Sequence, residues 1–199
     1  MKSLSQRLFK DKPYLKHIIT IFNILLKNDK YSTKYKKGQK PVTDLENVLL
    51  AILYRVISGC TWKYIPTECF GNFSYSTCYL YFRRWVDNGL WKEIWIKSLI
   101  TYSQKHHINW RIQCIDSTKI KNVNGIETIG SNSTDRGRNG TKLHTICDRN
   151  SITLGAIITG ANTHDSTVIS QLLESMVIKP PKHRKRNHIL LADMGYFRS

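Results

Sequence analysis

The sequence predicts a helical half, residues 1–106, followed by an α/β half, residues 107–199. Three observations predict this. Up to Tyr102 apolar residues recur at helical spacing, and from Trp110 onward the period shortens to that of a strand. Near the end, His188-Ile189-Leu190-Leu191-Ala192-Asp193 is almost wholly apolar, the pattern of a central strand buried on both faces and paired in parallel after a crossover helix. The polar join Gln104 to Asn109 marks the boundary between the halves.

Tyr14 to Lys27 carries Leu15, Ile18, Ile19, Phe22 and Leu26 at helical spacing, so an amphipathic helix opens the fold. A basic linker over 28–41 follows, with Lys30, Lys34, Lys36, Lys37 and Lys40. It reads as a solvated connector or as an arm that neutralises phosphates. Thr43-Asp44-Leu45-Glu46 is a capping box, opening a helix to about Ser58 that Gly59 ends in a left-handed conformation. Thr61 caps a short helix around Trp62 and Ile65, limited by Pro66. Ser74 or Ser76 caps a third helix that buries Cys78, Tyr81, Phe82 and Trp85 and ends near Gly89. A further helix runs from Leu90 to Tyr102. Helix, turn, short helix, turn, longer helix is the outline of a helix-turn-helix, and its last helix presents Thr77, Tyr79, Arg83 and Arg84 to solvent. A plain three-helix bundle has the same outline.

In the second half, Trp110 to Asp116 alternates as a strand, with Trp110, Ile112 and Cys114 on one face and Asp116 falling on that apolar parity. Taken alone, Asp116 reads as a strand-ending residue that caps a turn. Asn122 to Gly140 has little to bury and holds Asp135, Arg136 and Arg138; it reads as a mobile loop. Thr141 to Cys147, with Leu143, Thr145 and Cys147 on one parity, and Thr153 to Thr159 read as a hairpin turning at Asp148-Arg149-Asn150-Ser151. Asn162-Thr163-His164-Asp165-Ser166 opens a helix with Val168, Ile169, Leu172, Leu173 and Met176 inward, stopped by Pro180-Pro181.

The 199 residues hold 31 Lys and Arg against 14 acids, a net charge of +17, which points to an anionic polymer and first to nucleic acid. The chain is also crowded with Ile, Asn and Tyr, a bias that AT-rich codon usage produces whatever the function, so the charge supports that inference without deciding it. No apolar run is long enough to span a bilayer, and no cleavage site follows Ile18 to Leu26, so neither anchor nor signal peptide is read. Cys60, Cys69, Cys78, Cys114 and Cys147 contain no C-x-x-C pair and read as reduced thiols of a cytoplasmic protein.

If the strand ending at Asp193 pairs in parallel with the one carrying Asp116, two carboxylates stand side by side. Like charges this close repel unless a cation sits between them, and a hard divalent ion with oxygen ligands resolves the conflict. Four stretches then resemble one family in its order. They are Ser58-Gly59-Cys60-Thr61-Trp62-Lys63-Tyr64-Ile65-Pro66 with Phe82-Arg83-Arg84-Trp85; Ile115-Asp116-Ser117-Thr118; Arg138-Asn139-Gly140-Thr141-Lys142-Leu143-His144; and Thr163-His164-Asp165-Ser166 leading to Ala192-Asp193-Met194-Gly195-Tyr196. The set resembles the DDE transposases of bacterial insertion sequences, the insertion-sequence-five family.

The resemblance implies an RNase H-like catalytic domain over 107–199 and two Mg²⁺ or Mn²⁺ ions. It also implies nicking and strand transfer on double-stranded DNA at transposon ends and target, and a homo-oligomer on that DNA, in the nucleoid of a bacterium. Asp116 and Asp193 correspond to the first two catalytic acids and metal ligands. Arg138, Lys142 and His144 correspond to the basic motif after the loop, which contacts phosphate or the acids, and Asp165 reads as a helix cap. The family's third acid, a downstream Glu, has no counterpart, and Glu174 precedes Asp193. The expectation is therefore a C-terminally truncated transposase whose RNase H-like domain is incomplete, lacking its last helix, or else a DNA-binding remnant that interferes with a full-length relative.

Overall fold

The computed structural model describes residues 12–28, 30, 31, 44–122, 128–180 and 188–197. The chain forms two compact units, Met1–Ser98 and Leu99–Ser199. The division falls inside a helix that continues to His106, through most of the polar join.

The first unit contains α1 (Pro13–Leu26), α2 (Leu45–Ser58), α3 (Tyr75–Asp87) and the first part of α4 (Leu90–His106). Proline at its first position starts α1, where the missing N–H costs nothing. Asp44 caps α2, its carboxylate accepting from the Glu46 N–H at 3.0 Å. The predicted capping box is thus replaced: Thr43 lies outside the described residues, and the Glu46 carboxylate accepts instead from Asn23 Nδ2 at 2.8 Å. Gly59, at φ +70°, ends α2 as predicted. The turn Trp62–Tyr64 is a single 3₁₀ turn, and Ser74 Oγ caps α3 by accepting from the Thr77 N–H. Most of the 28–41 linker lies outside the described residues.

The core of this unit is apolar and aromatic. Phe22, Val48, Ile52, Cys78, Trp85 and Leu90 are fully buried, and Trp85 meets Phe22 edge-on at 4.9 Å between ring centres. Burial pushes the Cys78 thiol up to about 11, so it stays protonated and packs as a small apolar group.

The second unit is a five-stranded mixed sheet with β1 (Ile112–Lys121), β2 (Gly130–Asn132), β3 (Arg138–Asp148), β4 (Thr153–Gly160) and β5 (Ile189–Ala192), and a short helix α5 (Ile169–Glu174). The long strand β3 is central: β1 runs antiparallel along one edge, β4 and β2 along the other, and β5 adds to the far side of β1 in parallel. Ile108, Trp110, Ile115, Ile146, Leu154, Val168, Leu172 and Tyr196 form its apolar core.

Several expectations are corrected here. The strand does not end at Asp116 but runs on to Lys121, because β3 continues to pair with it as far as Gly140. Its buried positions are Gln113 and Ile115 rather than Ile112 and Cys114; the Gln113 amide survives burial by donating to the Trp110 carbonyl at 2.6 Å. Along β3 the buried parity is likewise the polar one, Lys142, His144, Ile146 and Asp148. The expected loop 122–140 contains β2 and a 3₁₀ turn, Ser133–Asp135, held by Asn132, whose side chain accepts from the Thr134 N–H and hydroxyl. Residues 123–127 of it lie outside the described residues. Finally, β5 is not buried on both faces: Ile189, Leu190 and Leu191 are exposed, since among the described residues the strand pairs only with β1. No helix among the described residues is long and apolar enough to cross a membrane.

Candidate active site

The parallel register ends on the rung Ile115–Ala192, so Asp116 and Asp193 each follow directly after that last rung on neighbouring segments. Strand pairing alone makes the juxtaposition. On its other side Asp116 faces Thr145 of β3. Both acids are exposed, and each is oriented by its own backbone: Asp116 Oδ1 accepts from the Ser117 N–H at 2.7 Å, and Asp193 Oδ1 accepts from the Met194 N–H at 2.6 Å, where Asp193 caps the 3₁₀ turn Met194–Tyr196. The two acids offer an all-oxygen donor pair, which fits a hard divalent ion such as Mg²⁺ better than zinc or copper. Among the described residues, no group of three His, Cys, Asp or Glu forms a fuller set of ligands.

Behind the pair lies a polar network that periodicity did not reveal. Lys142, whose side chain is 6% exposed, points its ammonium at the Thr163 carbonyl (2.7 Å) and at Asp165 Oδ1 (3.2 Å). His144 is fully buried, with Nε2 3.0 Å from Thr159 Oγ1 and Nδ1 3.3 Å from the Tyr196 hydroxyl. Nδ1 also lies 3.5 Å from Asp165 Oδ1, and the Thr159 hydroxyl reaches the Gly160 carbonyl at 3.2 Å. Burial pushes the His144 imidazole below its ordinary value; Asp165 opposes that and Lys142 adds to it. Burial pushes the Tyr196 phenol up, against a hydrogen bond from Ser117, with Asp165, Asp116 and Asp193 adding to the rise.

Lys142 and His144 are therefore not surface groups reaching for phosphate: both are occupied inside the sheet unit. Asp165 is not the expected cap either. His164 Nδ1 accepts from the Ser166 N–H, and the Asp165 carboxylate turns inward to Lys142. Arg138 is exposed at the start of β3, lining an open groove with Lys121, Asn122, Asp135, Gly137 and Asn139. In the helical unit, Tyr79, Arg83 and Arg84 are exposed on α3, Arg84 lying over Tyr81 at 5.4 Å and Arg83 3.9 Å from Asp87. Thr77 is half-buried and its hydroxyl pairs with Ser74. Leu80, 67% exposed on the same face, was missed because an apolar residue reads as core; its neighbours at one and at three or four positions, Tyr79, Arg83 and Arg84, were the available signal. Tyr196 was missed as a site residue although it stands three positions after Asp193.

Two family models match in tandem. Residues 21–95 match one described as "Putative transposase of IS4/5 family", and residues 111–199 match the "Transposase DDE domain". The chain belongs to the DDE transposases of the IS4/5 type. A protein of Burkholderia cepacia described as "Putative transposase for insertion sequence element IS402" is 40% identical over 78 residues, a match that spans 36% of this chain and 36% of that relative. No solved structure matches. The helical unit followed by a mixed sheet fits such a transposase, and a DDE domain implies dependence on a divalent metal ion.

Proposed function

We propose that the chain binds double-stranded DNA at transposon ends and takes part in metal-dependent strand cleavage and transfer there, with Asp116 and Asp193 as catalytic metal ligands. The observation that supports this is the parallel pairing of β5 with β1 up to Ile115–Ala192, directly after which Asp116 and Asp193 follow. The strand order supports an RNase H-like fold: three antiparallel strands, β1, β3 and β4, with β5 added in parallel beside β1.

In this reading the two carboxylates would hold Mg²⁺ or Mn²⁺, two ions in a complete site, and their backbone hydrogen bonds orient one oxygen of each. A divalent ion held there would supply charge neutralisation at the scissile phosphate and activation of the attacking water or 3′-hydroxyl. Arg138, together with Lys121, tracks the DNA backbone on the edge of the sheet. The helices α2 and α3 with the turn between them act as a helix-turn-helix, α3 entering a groove with Tyr79, Leu80, Arg83 and Arg84; the exposure of these four supports it. The protein works as a homo-oligomer on DNA.

Nicking of a transposon-end duplex in Mg²⁺ or Mn²⁺ tests the chemistry. Whatever nicking the chain supports is lost in Asp116→Asn and in Asp193→Asn; turnover that survives loss of Asp116 overturns the assignment. In gel shifts across a salt series, Arg83→Ala and Arg84→Ala weaken binding and each lowers the salt slope by about 1.

A further inference from the structure

The turn that carries Asp193 is anchored by the side chains of Asp165 and Tyr196. Asp165 sits close to Gly195: a Cβ built on Gly195 would lie 3.2 Å from Asp165 Oδ2, a tight contact that glycine avoids. One residue on, Tyr196 is 4% exposed, and its hydroxyl meets His144 of β3 and Ser117 of β1. Ser117 is the neighbour of Asp116, and its cross-strand partner is His144. The buried Lys142 in turn fixes Asp165 through its carboxylate and fixes the preceding backbone through the Thr163 carbonyl. Both acids are thereby tied to the same buried frame, one through Ser117 and the other through the turn Met194–Tyr196.

We infer that Lys142 and Asp165, with Tyr196, are positioning residues that fix the Asp193 carboxylate against Asp116. This rests on the reading of Asp193 as a metal ligand and assigns the basic and His-Asp-Ser motifs a role behind the site instead of at the DNA. A buried ion pair costs desolvation, and a pair of well-packed neutral groups would hold a fold as well. What it adds here is direction. The ammonium donates to the Thr163 carbonyl and to Asp165 Oδ1, which holds the carboxylate close to Gly195.

The test uses the full chain. Lys142→Met alone leaves the half-buried Asp165 carboxylate without its cation, so the informative variant is the double replacement Lys142→Met with Asp165→Asn, which removes both charges together. Tyr196→Phe removes the other anchor, and Glu174→Gln on α5, an exposed acid away from the network, is the control. Two readouts are taken. In metal-free protein, hydrogen exchange at Met194, Tyr196 and Phe197, whose N–H groups close the turn, rises about tenfold in the double variant while the thermal midpoint holds; stronger protection in native structure corresponds to costlier local opening. Mn²⁺ binding, read by the spin-resonance signal of the bound ion, weakens about tenfold or more, the usual effect of removing a partner behind a ligand. Lys142→Arg, which keeps the charge, restores part of the affinity.

A folded double variant with unchanged exchange in the turn and unchanged Mn²⁺ binding overturns the inference. Failure of the two-acid reading looks different: Asp116→Asn and Asp193→Asn then leave Mn²⁺ binding as it was, and exchange in the turn alone decides whether Lys142 and Asp165 position it.

Discussion

The two units bury opposite kinds of side chain. In the helical unit the interior is aliphatic and aromatic, and four buried side-chain nitrogens among its described residues have no hydrogen-bond partner: Arg55 Nε, the indole nitrogens of Trp85 and Trp91, and His17 Nε2. In the sheet unit Gln113, Asn132, Lys142, His144 and Asp148 are buried, and no buried side-chain nitrogen or oxygen among its described residues lacks a hydrogen bond. The first unit gains stability from apolar bulk and tolerates a few orphaned groups, whereas the second takes on the desolvation of several polar groups and satisfies each one. Bulk packing needs only size and shape, but a paired polar interior needs direction, which is the property a site of two aligned carboxylates requires.

That contrast is broken most strongly by truncation at the centre of the helical unit. Trp85→Ala is expected to cost roughly 3–5 kcal/mol, the usual range for a large aromatic in a core, measured by chemical denaturation; a cost below about 1 kcal/mol would mean that the aromatic cluster does not carry the unit. In the sheet unit the corresponding blow is a polar one. Asp148 is 1% exposed and accepts from the N–H groups of Asn109, Asn150 and Ile152. Asp148→Asn, nearly the same size, puts an amide donor against one of them and is expected to cost about 1.5–3 kcal/mol, the worth of hydrogen bonds to a charged group. An unchanged denaturation midpoint would show that this carboxylate is dispensable.

The smallest effect is a dependence on pH that only one unit should show. His144 is held neutral by burial, its folded value lowered, while the unfolded chain takes up its proton near the ordinary value of about 6.5. The unfolded state therefore binds more protons below that pH, and the stabilisation present above it is lost as pH falls towards the lowered folded value. Denaturation at a series of pH values is expected to show this slope and His144→Gln to flatten it. An equal slope in both proteins would place the titrating group elsewhere.

The same difference explains what the sequence could reveal. Helices α1 to α3 were legible because their buried residues are apolar at regular spacing and their ends carry Ser74, Gly59 and Gly89. The hairpin β3–β4 and the parallel pairing of β5 with β1 were legible from the alternating runs and the apolar stretch 188–193. The burial parity of β1 and β3 was not, because rules that send Lys, His and Gln to the surface invert when each finds a partner contributed by a distant segment: Asp165 for Lys142, Tyr196 for His144. Those partners are fixed only by the fold. Leu80 failed in the opposite direction, an apolar residue left on the surface.

The pairing of β5 with β1 also differs from the other pairings in its reach along the chain. The β3–β4 hairpin closes across the tight turn Asp148–Ile152, and β1 joins β3 across the shorter intervening segment, so both form from contacts near in sequence. Closing β5 onto β1 must bridge all of β3, β4, α5 and the basic connector, and long-range parallel pairing is intrinsically slow. The strand carrying Asp116 is thus held by pairing near in sequence, whereas the segment leading to Asp193 depends on the longest-range strand pairing in the unit. The two acids therefore draw on pairings of very different sequence separation.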